Sequence, residues 1–129
     1  MARSAGRAVT QLYLVAMVAL GGAVGALGRF LLSHWRTPRF PFATFMANVS
    51  GSFLLGFLAA GSSESPLLLL MGVGFCGSLT TFSTFSLDTL VLAREGRRGT
   101  AVVNVIASVA ACVAAVAAGL ALGLTVFSR

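Results

Sequence analysis

Four apolar stretches alternate with short polar connectors along the chain. They run from about Gln11 to Leu32, Phe42 to Ala60, Leu67 to Ala93 and Ala101 to Phe127. A helix of about 20 apolar residues crosses the hydrocarbon core of a bilayer, so each stretch is predicted to span one. The connectors carry the breakers. "SHWRTPRFP" holds two prolines and two arginines, "GSSESP" ends in Pro66, and "REGRRG" is charged and glycine-rich. Such punctuation marks turns at a membrane surface, and Tyr13 and Trp35 suit the aromatic belt there. The pattern predicts an all-α membrane protein, one four-span unit over residues 1–129.

The third stretch is too long. Its 27 residues would extend roughly 40 Å as a straight helix, against a core of about 30 Å. Tilt absorbs such an excess, and so does a break. Gly72, Gly74 and Gly77 favour a break near Gly77 to Thr80. A broken helix frees backbone amides and carbonyls in the membrane, where only protein or a polar pathway can satisfy them.

Composition sharpens the class. Hydrophobic residues make up 57% of the chain and charged residues 9%, against about 25% charged in a soluble domain. The net charge is +6, yet lysine is absent and the nine arginines are scattered. Nucleic-acid binding needs a basic patch or stripe, so no nucleic-acid partner is expected; arginines flanking apolar runs act as headgroup anchors and topology signals. Arg3 and Arg7 before the run from Leu12 imitate a signal peptide, but that run is long enough to span. Four spans put Arg3, Arg7 and Arg129 on one side and Arg36, Arg39, Arg94, Arg97 and Arg98 on the other. Three against five is a weak bias, compatible with insertion both ways and antiparallel pairing. Cys76 and Cys112 show no metal spacing.

Polar residues recur at helical spacing. Thr44, Asn48 and Ser52 step by four along span 2, and Asn104, Ser108 and Cys112 along span 4. An asparagine in a membrane helix needs a partner, either across a helix interface or along a polar track. Gly21 and Gly25, and Gly119 and Gly123, form small-xxx-small pairs that bring helices close. Their abundance implies a tightly packed, oligomeric bundle.

The most unusual stretch is "CGSLTTFSTFS", with Ser78, Thr80, Thr81, Ser83, Thr84 and Ser86 around Phe82 and Phe85. If the part after Gly77 is helical, the two phenylalanines are neighbours, and Thr81, Thr84 and Asp88 share an adjacent face. Hydroxyls donate to anions, and aromatic edges carry partial positive charge. An anion can follow them without meeting a full charge, which would hold it too tightly to conduct. Carbonyls freed from Gly77 through Thr80 can bind a cation. Arg29 either snorkels or draws anions to a vestibule. Asp88 is either a surface or cap carboxylate or part of the polar face. A proton-coupled four-span multidrug exporter is the first rival, but it needs a carboxylate inside the bundle. A structural subunit without transport activity is the second. An enzyme is not expected, because no nucleophile, base and orienting group converge.

Together "GGAVGALGRF", "PFATFMANVSGSFLLGF" and "GFCGSLTTFSTFS" make the chain resemble the Fluc/CrcB family of fluoride channels. The resemblance covers nearly the whole chain, and "TTFSTF" is its most specific part. It implies an antiparallel dual-topology dimer, of this chain with itself or with a paired homologue, in a bacterial inner or plasma membrane. It also implies two pores that pass fluoride passively and relieve fluoride toxicity. Phe82 and Phe85 match the pore phenylalanines. Asn48, Thr44, Thr81, Ser83, Thr84 and Ser108 match polar pore liners, Arg29 matches a vestibule arginine, and Asp88 falls where an acidic residue is common. Gly77 and Thr80 match positions whose carbonyls hold a structural sodium ion at the dimer interface; no organic cofactor is implied. The chain departs from the pattern at Asn104, where a tyrosine is frequent, at Cys112, where some members have serine, and at "FAT" before span 2.

Overall fold

The computed structural model describes residues 2–34, 37, 39–61 and 66–128, and of residues 2–5 and 8 the backbone only. Trp35, Arg36, Pro38, Arg129 and positions 62–65, to which the sequence assigns belt, topology and turn roles, lie outside the described residues, as does the side chain of Arg3. Every regular element described is helical. Helix α1 is Ala2–Ser33 and α2 is Phe42–Ala59. Helix α3 has wide π-helical turns over Leu68–Cys76 and closes with one α-helical turn, Gly77–Leu79. Helix α4 is Phe82–Arg94 and α5 is Arg98–Phe127. Four stretches are long and apolar enough to cross a membrane: Val9–Ser33, Phe42–Ala59, Leu68–Arg94 and Arg98–Phe127. They coincide with the four expected spans to within a few residues. Helix α1 starts well before its apolar run, because "ARSAGRAVTQ" contains no proline and several strong helix formers.

Between α3 and α4 the backbone is extended at two residues, Thr80 (φ −74°, ψ 151°) and Thr81 (φ −152°, ψ 118°). Thr81 caps α4: its Oγ1 accepts the Thr84 amide at 3.2 Å. A threonine ahead of a helix does this because the first-turn amides have no partner within the helix. Helix α4 ends at Gly96, where φ is +78°. There the Arg97 amide reaches back to the Leu92 carbonyl at 2.9 Å and the Gly96 amide to that of Ala93 at 3.2 Å, a Schellman closure that needs glycine at the left-handed position. The Arg97 guanidinium also donates to the Arg39 carbonyl, tying the α4–α5 turn to the α1–α2 connector on the same side of the bundle.

Packing is dominated by α2 against α5 and α1 against α3. Helices α1 and α5 take opposite flanks, with α2 touching both. Glycine makes both interfaces possible. A methyl at Gly56 would strike the Val116 carbonyl, and one at Gly119 the Phe53 carbonyl. On the other flank Gly21 and Gly25 lie under the carbonyls of Leu70 and Phe75. Without a hydrophobic drive between helices in lipid, close backbone approach supplies much of the association energy.

Gly56→Val or Gly119→Val pushes a side chain into a facing backbone, and the expected loss is about 1–3 kcal/mol of stability, read as a lower Tm in detergent. Gly99→Ala, where nothing lies within 4 Å of the added carbon, is expected to hold or raise Tm.

Candidate functional site

Three neighbouring hollows share lining residues, and the α3–α4 junction lines two of them. The largest is an open cleft of about 730 Å³ between α2, α3, α4 and α5. Phe82 and Phe85 line it, with Asn48 and Ser52 from α2, Gly77 and Thr80 from the junction, and Ser108 from α5. The rings of Phe82 and Phe85 have centroids 5.9 Å apart and are tilted by 43°, as their spacing of three predicts. Phe82 is 80% exposed, so most of its surface is uncovered by the rest of the chain.

Asn48 fastens the junction. Its Oδ1 accepts the Thr81 amide at 2.7 Å, and its Nδ2 donates to the Thr81 carbonyl at 3.2 Å. One side-chain amide thus satisfies both backbone groups of the residue that leaves the helix. The consequence lies one turn back. A continuous helix would aim the amides of Thr81 and Thr84 at the carbonyls of Gly77 and Thr80. Those amides turn instead to Asn48 Oδ1 and Thr81 Oγ1. The Gly77 and Thr80 oxygens therefore lose their helical donors. The Cys76 carbonyl, by contrast, accepts both the amide and the hydroxyl of Thr80, at 3.0 and 2.9 Å.

A second hollow of about 310 Å³ holds Arg29 and Ser33 of α1, Thr44 of α2, and Thr81 and Thr84. Thr81 lines both this hollow and the cleft. It is only 8% exposed, and its hydroxyl lies 3.1 Å from Thr84 Oγ1 and 3.2 Å from Ser83 Oγ. The third hollow, about 190 Å³, contains Thr44, Asp88, Glu95 and Arg97. There Thr44 Oγ1 donates to Asp88 Oδ2 at 2.6 Å, a short charge-assisted bond that joins α2 to α4. Thr44 and Thr81 link the three hollows in a row.

The structure thus gathers Phe82, Phe85, Asn48, Thr80, Gly77 and Ser108 at the cleft, and Arg29, Thr44, Thr81 and Thr84 at its neighbour. Asp88 stands apart from both, reached through Thr44. Ser83 is exposed and touches the group through Thr81. Asn104 is 1% exposed and does not line the cleft. It faces α4, where its Nδ2 donates to Thr89 Oγ1 at 2.8 Å. Sequence reasoning passed over Thr89. Its only signal was a hydroxyl four residues after Phe85, a spacing many helical threonines share. Among the described residues, no group of His, Cys, Asp and Glu side chains is arranged to hold a metal.

Four helices of membrane-crossing length around an open cleft lined by apolar side chains, a few hydroxyls and two phenyl rings define a small polytopic membrane protein. Residues 16–120 match the family described as CrcB-like protein, Camphor Resistance (CrcB), and the chain belongs to that family. A relative in Shewanella sp. (strain ANA-3), named fluoride-specific ion channel FluC, is 46% identical over 121 residues, 88% of this chain and 95% of its own. One in Rhodococcus jostii (strain RHA1), fluoride-specific ion channel FluC 2, is 46% identical over 96 residues, 73% and 84% of the two chains. An archaeal relative in Methanocaldococcus jannaschii (strain ATCC 43067 / DSM 2661 / JAL-1 / JCM 10045 / NBRC 100440), again named fluoride-specific ion channel FluC, is 41% identical over 117 residues, 86% and 94% of the two.

Asn48→Leu keeps the side-chain volume and orphans both backbone groups of Thr81. Each buried orphan costs about 1–3 kcal/mol, so a clear fall in Tm is expected in detergent. An unchanged Tm would show that Thr81 finds other partners.

Proposed function

We propose that the protein is a passive, fluoride-selective ion channel of the bacterial cell membrane. It lets fluoride leave the cytoplasm and so protects against fluoride toxicity. Hydrogen fluoride enters as a neutral acid and dissociates inside, which leaves the anion in need of an exit. The observation that carries this reading is the cleft itself. Two phenylalanine rings and a series of hydroxyls line it, with no full charge among its lining residues, on a chain whose relatives bear the fluoride-channel name.

The chemistry follows the row of hollows. Arg29 raises the local anion concentration at the hollow it shares with Thr44, Thr81 and Thr84. The hydroxyls of Ser83 and Thr84 offer O–H donors in place of water, those of Thr44 and Thr81 do so when they turn from Asp88 and Thr84, and Asn48 has a second amide hydrogen beyond the one given to Thr81. Asp88 holds the Thr44 hydroxyl and sets how readily it turns to an ion. In the cleft, the ring edges of Phe82 and Phe85 take over with their partial positive charge, and Ser108 faces them from α5. Each contact is weak, which suits conduction better than one strong site.

The reading includes a second copy of the chain, or a paired homologue, inserted in the opposite orientation. What supports this is that the cleft is open to the outside of the bundle and that the arginine bias sets no single orientation. It also includes a break in the third span that frees the Gly77 and Thr80 carbonyls for a structural sodium ion. A hard cation takes oxygen donors, and these two oxygens have lost their helical amides to Asn48 and Thr81. A two-fold-related copy would double them to four. The bound ion would supply a fixed positive charge that holds the two copies in register.

Reconstituted into liposomes, the protein is expected to release fluoride rapidly and chloride negligibly. No fluoride loss above empty liposomes, with the dimer shown intact, would contradict the reading. Phe82→Ile and Phe85→Ile are each expected to cut fluoride efflux at least tenfold, the loss of about 1.4 kcal/mol of barrier-lowering contact. Unchanged efflux in both would remove the ring edges from the path. Replacing sodium by N-methylglucamine throughout purification is expected to abolish efflux, with recovery when sodium returns.

A further inference from the structure

Asn104 sits at the centre of a hydrogen-bond chain that runs from Thr89 to Ser108. Thr89 Oγ1 donates to the Phe85 carbonyl at 2.8 Å, so that oxygen must accept from Asn104 Nδ2 at 2.8 Å. The amide orientation is thereby fixed, and Asn104 turns Oδ1 toward Ser108. The Ser108 hydroxyl donates to it at 3.4 Å, well beyond the usual 2.7–2.8 Å for such a bond. Ser108 lines the cleft opposite the phenylalanines. Its one hydrogen therefore points away from the cleft, into the protein, and is held there weakly. An anion in the cleft meets a lone pair unless that hydroxyl turns.

We infer that Asn104 is a positioning residue that parks the Ser108 O–H and so sets how tightly the cleft holds fluoride. The proposal rests on the fluoride-channel reading and adds a control to it. The ion gains the Ser108 donor only by breaking the bond to Asn104. A long, weak bond makes that exchange inexpensive in both directions, so fluoride is neither excluded nor trapped. The other arm of the chain, through Thr89 to the Phe85 backbone, keeps Asn104 from following Ser108 when the hydroxyl turns. Asn104 touches no ion in this scheme. It acts from behind the wall, which accounts for its burial of 99% (relative exposure 1%) at a position four residues from a cleft-lining serine.

The test is the fluoride dependence of single-channel current in planar bilayers for the full chain. Asn104→Leu, nearly the same size, removes the acceptor and frees the Ser108 donor for the ion. The half-saturating fluoride concentration is expected to fall by about 2- to 10-fold, the range that one hydrogen bond of modest strength commands, and the saturating current to fall with it. In a Ser108→Ala background the same substitution is expected to leave half-saturation where Ser108→Ala alone puts it. If Asn104→Leu does not assemble, Asn104→Ala is read in the same way. A purely structural role predicts fewer active channels with unchanged half-saturation, or an equal shift in both backgrounds, and either result overturns the proposal. Absence of any fluoride current from the intact wild-type dimer would overturn the channel reading and take this proposal with it. Normal wild-type current with no shift in the variant overturns the role of Asn104 alone.

Discussion

Everything distinctive about this bundle depends on two hydrogen bonds between Asn48 and the backbone of Thr81. Inside a membrane an unpaired amide or carbonyl has no water to turn to, and leaving one exposed to hydrocarbon costs several kcal/mol. The extended pair Thr80–Thr81 would carry that cost in the middle of the third span. Asn48, 33 residues earlier in the chain, satisfies the Thr81 amide at 2.7 Å and its carbonyl at 3.2 Å. Thr81 then caps α4 with its own hydroxyl. A carboxamide is the smallest side chain that offers a donor and an acceptor side by side, which is why neither a hydroxyl nor a carboxylate would serve as well.

The rest of the site follows from that fastening. Once the backbone turns at Thr80 and Thr81, α4 starts afresh and presents Phe82 and Phe85 to the cleft, with Thr84 on the side toward Arg29. The glycines of α1 and α2 let α3 and α5 approach to backbone contact, which sets the spacing of the helices around the hollows. Gly51 belongs to the same arrangement, since an added carbon there would collide with the Thr80 methyl. Here glycine and alanine make the close helix contacts, while threonine, serine and asparagine line the hollows, often on the same helix. Helix α2 shows the division plainly, with Ala43, Ala47, Gly51 and Gly56 buried beside Thr44, Asn48 and Ser52.

Much of this was legible in the chain itself. Apolar runs of membrane length separated by proline, glycine and arginine define the four helices, and the structure places them within a few residues of those limits. The adjacency of Phe82 and Phe85 follows from their spacing, and the step of four along α2 puts Asn48 on the face that meets the junction. What the chain did not disclose is pairing across helices. Nothing local to Asn48 names Thr81 as its partner, and nothing local to Thr44 names Asp88, 44 residues away. Asn104 shows the same limit from the other side. Its spacing left open a partner across a helix interface or a place along a polar track, and the structure pairs it across the interface with Thr89 while Ser108 lines the cleft. The π-helical turns of Leu68–Cys76 had no counterpart in the sequence either, because "LLLMGVGFC" is equally apolar in any helical winding. Helix α1 begins at Ala2, ahead of the apolar run that marks its span, because helix propensity does not stop where hydropathy does.

Hydrogen exchange at the Thr81 amide, followed by NMR on the isotope-labelled protein in micelles, tests the central claim most directly. An amide held by Asn48 in the membrane interior is predicted to exchange as slowly as the core amides of α2, although it belongs to an extended residue between two helices. Exchange as fast as that of the Gly96 turn would mean that Asn48 does not hold the junction, and the account of the site built upon it would be wrong.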